Sequence, residues 1–116
     1  MTEVVFYEDS NGKEPVREFL DALDVKMRVK VLGRIGLLEE RGVRLAMPYA
    51  RHLEDGIYEL RTVQGNNITR VLYFFVVGDQ AVLTHGFIKK TQKTPRAEMD
   101  RAKRMRQDWV GRHDNV

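Results

Sequence analysis

A chain of 116 residues with 42% apolar content is long enough for one domain, residues 1–116, around an ordinary hydrophobic core. It contains no cysteine, which excludes disulfides, thiolate nucleophiles and CxxC sites and fits a reducing, cytoplasmic setting. The net charge of +3 is unevenly spread: residues 89–112 carry nine Lys or Arg against three acids, whereas residues 1–88 carry eleven against thirteen.

Val4-Val5-Phe6-Tyr7 reads as a first strand, and Glu8 to Lys13, with Asn11-Gly12, as a polar turn. Pro15 suits the first turn of a helix, in which Val16, Phe19, Leu20 and Leu23 form one apolar stripe. Asp24 can cap a second helix running to about Arg41, with Met27, Val31, Ile35 and Leu38 facing inward and Gly42 as a left-handed stop. Gly33 and Gly36 inside it cost about 1 kcal/mol each relative to Ala, a cost that close packing against a neighbour would justify.

Residues 43–56 read as a connector with Pro48 and the turn pair Asp55-Gly56. Three strands follow: Ile57–Val63, then the hairpin turn Gln64 to Asn67, Ile68–Val77, a turn at Gly78-Asp79-Gln80, and Ala81–Lys89. Thr94 is expected to cap a last helix with Pro95 at its first position and Met99, Ala102, Met105 and Trp109 as its apolar stripe. The expected order is β-α-α-β-β-β-α, an α+β domain in which two N-terminal helices cover one face of a mostly antiparallel sheet. No signal peptide is expected, and no apolar run approaches the roughly 20 residues of a membrane span.

Elimination narrows the chemistry. Ser10 is the only serine and lies in a turn beside no histidine, so a Ser-His-Asp mechanism is not expected. His52, His85 and His113 have no metal-ligand spacing, the acids are scattered, and there is neither a Walker loop nor GxGxxG. No metal or organic cofactor is implied. What remains is a set of Arg, Lys, Tyr and Thr near the sheet. Such a set can cleave RNA, because the ribose 2′-OH supplies the nucleophile and fixed cations stabilise the charge gathering on phosphate. The basic final quarter suggests a polyanion-facing surface, with a solvated helix as the plain alternative.

Three runs carry a family resemblance in the right order. His52-Leu53-Glu54-Asp55-Gly56-Ile57-Tyr58-Glu59-Leu60-Arg61, Arg70-Val71-Leu72-Tyr73-Phe74-Phe75 and Gly86-Phe87-Ile88-Lys89-Lys90-Thr91-Gln92-Lys93-Thr94-Pro95 resemble RelE/HigB-type toxins. The nearest branch is the phage-derived one grouped as HigB-like host-killing proteins. The resemblance covers most of the chain and is strongest over residues 50–105. It implies a RelE-like fold, a cytoplasmic, ribosome-dependent messenger-RNA endonuclease, and neutralisation by a cognate helix-turn-helix antitoxin, with no membrane involved. Arg61 and Arg70 match basic strand positions, and Lys89, Lys90 and Lys93 fall where the family carries basic residues after the last strand. There are two departures. Glu59 stands where RelE has a catalytic lysine, and RelE's tyrosine near the C-terminal helix has no clear counterpart.

The residues expected to hold and stabilise the cleaving phosphate are therefore Arg61, Arg70, Lys89, Lys90 and Lys93, with Arg96, Lys103 and Arg104 expected to contact RNA. The lysines flank a helix N-terminus, which itself favours an anion. Arg61 and Arg70 are expected to approach across strands, unfavourably unless an anion lies between them. Glu59 reads as one half of a surface ion pair with Arg61. Tyr73 and His85 read as structural. A non-catalytic nucleic-acid-binding module on the same fold is the alternative; a phage structural protein has little physical support.

Overall fold

The computed structural model describes residues 1–89 and 93–113. The elements are β1 (Glu3–Phe6), α1 (Pro15–Ala22), α2 (Val25–Arg41), a 3-10 turn (Gly42–Arg44), β2 (Ala50–Glu54), β3 (Ile57–Gln64), β4 (Asn67–Val76), β5 (Gln80–Lys89) and α3 (Arg96–His113). The described strands form a five-stranded sheet in the order β1-β5-β4-β3-β2. β2 to β5 are an antiparallel meander, and β1 joins the edge parallel to β5. This is the expected α+β architecture. Among the described residues no helix is long and apolar enough to cross a membrane.

Strand alternation sends side chains to two faces, and each face has its own core. On one, Val16, Leu20, Met27, Val31, Ile35 and Leu38 of α1 and α2 pack on Leu60, Val71, Tyr73 and Leu83. On the other, Met99 and Ala102 of α3, with Met105 and Trp109 beside them, cover Ile57, Leu72, Phe74 and Val82. Tyr73 is a core residue stacked on Tyr58, and burial pushes its phenol above the usual range.

Asp24 caps α2 by accepting from the Met27 amide at 2.9 Å. Gly42 ends that helix with φ +56 and ψ −129, a backbone region open to glycine. A side chain there would also run into the Thr2 hydroxyl. At Gly86 the need is for space: a methyl group would lie 2.8 Å from Cγ of Phe19, whose ring rests on the strand. Gly86→Ala is expected to cost about 1–3 kcal/mol by overpacking. Urea unfolding reads this directly, and an unchanged midpoint would mean that Phe19 moves aside freely.

Four expectations need correction. The order β-α-α-β-β-β-α lacks one strand, because residues 43–56 contain the 3-10 turn and β2. β2 forms because its backbone pairs with β3, with Ala50 opposite Leu60 and Arg51 opposite Glu59. Gly33 and Gly36 do not serve close packing, since a methyl group at either would meet nothing within 4 Å. Thr94 is not the cap expected: Pro95 O accepts from the Glu98 and Met99 amides, so the helix opens one residue later. The Thr94 hydroxyl donates instead to Glu59 at 2.7 Å. The fourth correction is Glu59 itself, which is fully buried rather than part of a surface pair.

Candidate functional site

Register places three rows of side chains on the α3 face of the sheet. Arg51, Glu59, Leu72 and His85 stand side by side across β2, β3, β4 and β5. The next row is Arg61, Arg70 and Phe87, and the third is Val63, Ile68 and Lys89. α3 reaches the first row through Thr94 just before it and through Glu98. Arg61, Phe87, Val63 and Lys89, further along, keep part of their surface open.

Arg61 and Arg70 are direct cross-strand neighbours, as expected from their spacing. Glu59 relieves their repulsion. Its Oε2 accepts from Arg51 Nε at 3.0 Å and lies 3.7 Å from Arg61 Nε, while its Oε1 lies 3.5 Å from Arg70 Nε. Three guanidinium groups thus converge on one carboxylate, an excess of two positive charges. Glu59 and Arg70 have no exposed side-chain surface, and Arg61 retains 14%. Burial pulls the Arg70 guanidinium below its ordinary value; Glu59 opposes this, while Arg61 and Arg51 reinforce it. Arg61 Nε is buried with no hydrogen-bond acceptor among the described residues. A buried cationic cluster with excess positive charge and a spare donor on Arg61 is a favourable seat for an external anion.

Beside the cluster, a groove of about 540 Å³ is lined by Glu54, Lys93, Thr94, Pro95, Arg96 and Met99. Lys93 and Lys89 are exposed; Lys90 lies outside the described residues. Much of the basic charge on α3 fastens the helix to the sheet. Arg96 grips Glu54 through two nitrogens at 2.9 and 2.7 Å, and Lys103 reaches the same carboxylate at 2.5 Å. Arg96, then Lys103, holds the Glu54 carboxyl down at about 2. Arg106 pairs with Asp55 at 3.1 Å. Arg104 is exposed and makes no ion pair among the described residues.

His85 lies under α3 with 1% exposure; its Nε2 is 3.1 Å from Glu98 Oε1 and its Nδ1 is 3.1 Å from Thr84 Oγ1. Burial, reinforced by Arg101 and opposed by Glu98, pushes the imidazole down to about 4. Between about pH 6.5 and 4 the unfolded chain therefore binds a proton that the folded chain refuses, so stability falls as pH drops through that window. From pH 7.5 to 4.5 the expected loss from this group is about 2 kcal/mol. Denaturant unfolding at the two pH values measures it, and an equal loss in His85→Gln would assign the effect elsewhere.

The sequence alone did not point to Arg51, Phe87, Thr94 or Glu98 as parts of this site. Arg51 was hidden because β2 read as a connector. In sequence Thr94 has the place of a helix cap, which gives no sign of its bond to Glu59.

Residues 18–107 match the family model described as "Phage derived protein Gp49-like (DUF891)". The chain belongs to the Gp49-like family. That family is associated with toxin–antitoxin systems, which agrees at this level with the resemblance carried by the three motif runs. No curated protein matches the chain. The matched segment of this Gp49-like protein spans β2 to β5 and most of α3, and so includes every member of the arginine cluster.

Proposed function

We propose that this Gp49-like protein is the toxin of a toxin–antitoxin pair and a ribosome-dependent messenger-RNA endoribonuclease. The observation that carries the reading is the convergence of Arg51, Arg61 and Arg70 on the single carboxylate of Glu59, beside an open stretch of sheet. The RNA supplies its own 2′-OH as nucleophile. The cluster supplies fixed positive charge where the pentavalent phosphate gathers negative charge, a kind of stabilisation that requires no rearrangement during the reaction. Arg61, which keeps an exposed edge, contacts the phosphate. Arg70, buried beneath, acts through its field and by fixing Glu59. Lys89 at the end of β5, Lys93 ahead of α3, and Lys90 between them in sequence hold the phosphate. Arg104, together with whatever charge Arg96 and Lys103 retain beyond Glu54, docks ribosomal RNA. The partners are messenger RNA, the ribosome and a helix-turn-helix antitoxin, all met in the cytoplasm.

Induction of the gene alone tests this reading. The expected result is arrest of protein synthesis with cuts mapped inside translated messages, relieved by co-expression of the adjacent small gene. Good expression with normal growth and intact messages would instead favour a binding-only module on this fold.

A further inference from the structure

The arginine cluster can stabilise a phosphate, but its guanidinium groups remain charged and make poor proton acceptors. Removal of the 2′-OH proton calls for a second kind of group within reach of the same stretch of sheet. Glu59 is fully buried and shared by three guanidinium groups, so the carboxylate with an open edge beside that stretch is Glu98, in the first turn of α3 with 26% of its side chain exposed.

Glu98 is held in place. His85 Nε2 lies 3.1 Å from its Oε1, and the other ring nitrogen meets the Thr84 hydroxyl at 3.1 Å, so the buried imidazole is fixed from both sides. The neutral ring with its proton on Nε2 donates to the carboxylate, leaving the second carboxylate oxygen for a different partner; Nδ1 then accepts from the Thr84 hydroxyl, which turns toward it from the Leu72 carbonyl that it also reaches at 3.1 Å. The imidazole stacks on Phe87 at 5.8 Å between ring centres and 28° between planes. Phe87 is the cross-strand neighbour of Arg70, and Arg70 of Arg61. Glu98, His85, Phe87, Arg70 and Arg61 therefore form a continuous succession across one face, about 10 Å wide from β5 to β3. A ribose over Phe87 would lie between the carboxylate and the guanidinium groups. The charged groups around the imidazole are Glu98 and Arg101 of α3, and no other hydrogen-bonding partner of its ring occurs among the described residues.

We infer that Glu98 is the general base of the cleavage reaction and that His85 is the positioning residue that aims it. This rests on the nuclease reading above. The Glu98 carboxylate takes the proton from the ribose 2′-OH as the 2′ oxygen bonds to phosphorus. The bond from phosphorus to the 5′ oxygen breaks, and the leaving oxygen takes a proton from solvent water. The products are a 2′,3′-cyclic phosphate and a 5′-hydroxyl end, and Glu98 returns its proton to water.

The test uses the full chain with programmed ribosomes and measures kcat and KM for message cleavage at pH 7.5 by wild type, Glu98→Gln, His85→Leu and His85→Gln. Glu98→Gln should lose about 100-fold or more in kcat with KM within about threefold. His85→Leu should lower kcat with KM little changed, and His85→Gln, whose amide can still donate to Glu98, should recover most of the loss. Circular dichroism melts confirm that each variant is folded; should His85→Leu unfold, the Glu98→Gln kinetics decide. Wild-type cleavage matched by Glu98→Gln within about threefold overturns this inference and leaves the nuclease reading standing. A wild type that cuts no message on ribosomes overturns both.

Discussion

Arg61→Ala should lower the rate of message cleavage by about 10²–10³-fold while leaving the fold intact. Arg61 is the member of the cluster that combines an exposed edge with a place directly opposite Arg70. Its loss removes the partly exposed charge opposite Arg70, and Glu59 keeps Arg51 and Arg70 as partners, so the sheet has little reason to rearrange. Arg61→Lys keeps the charge but loses the planar fork, and should recover only part of the rate. The measurement is cleavage on ribosomes at saturating message, paired with a thermal melt. A variant that still arrests translation at wild-type dose would remove Arg61 from the site.

The largest stability effect is expected at Glu59. Glu59→Gln keeps the shape and removes the charge that three guanidinium groups share. Breaking a buried ion pair from one side typically costs about 3–5 kcal/mol, because the other charge stays behind uncompensated. For a domain of this size that corresponds to a fall in Tm of about 10 °C or more. The loss should be partly reversed by inorganic phosphate or sulfate, which would occupy the emptied anion position and bind the folded state alone. The paired measurement is the Tm of wild type and variant across a phosphate series. A steeper rise for the variant supports an anion seat; a parallel rise counts against it.

Much of the fold was legible in sequence because its signals are local. The stripe from Val16 to Leu23, the Asp24 cap, the turns at Gly65 and Gly78 and the alternation in β3 each depend on neighbours a few residues away. β2 was not legible. Arg51-His52-Leu53 has no clean alternation and follows Pro48, and its pairing comes wholly from β3. The same blindness applies to the site. That Arg61 and Arg70 would meet followed from the hairpin register. That Glu59 would be buried did not, because its neighbours Arg51, Arg70 and Thr94 come from three other parts of the chain. Likewise the basic composition of the last helix is plain, but the attachment of Arg96 and Lys103 to Glu54 depends on β2, a strand with no signal of its own in the sequence.

The parallel pairing of β1 with β5 bears on when the site can be assembled during synthesis. β1, α1 and α2 emerge from the exit tunnel first, yet the strand that β1 joins is the last of the sheet to be made. The earliest segments must wait for partners nearly 80 positions downstream, a long-range closure that delays folding. Every residue of the arginine cluster, and the threonine that completes it, lies after that early half-layer. A nascent chain therefore holds no assembled cluster until synthesis has passed Thr94.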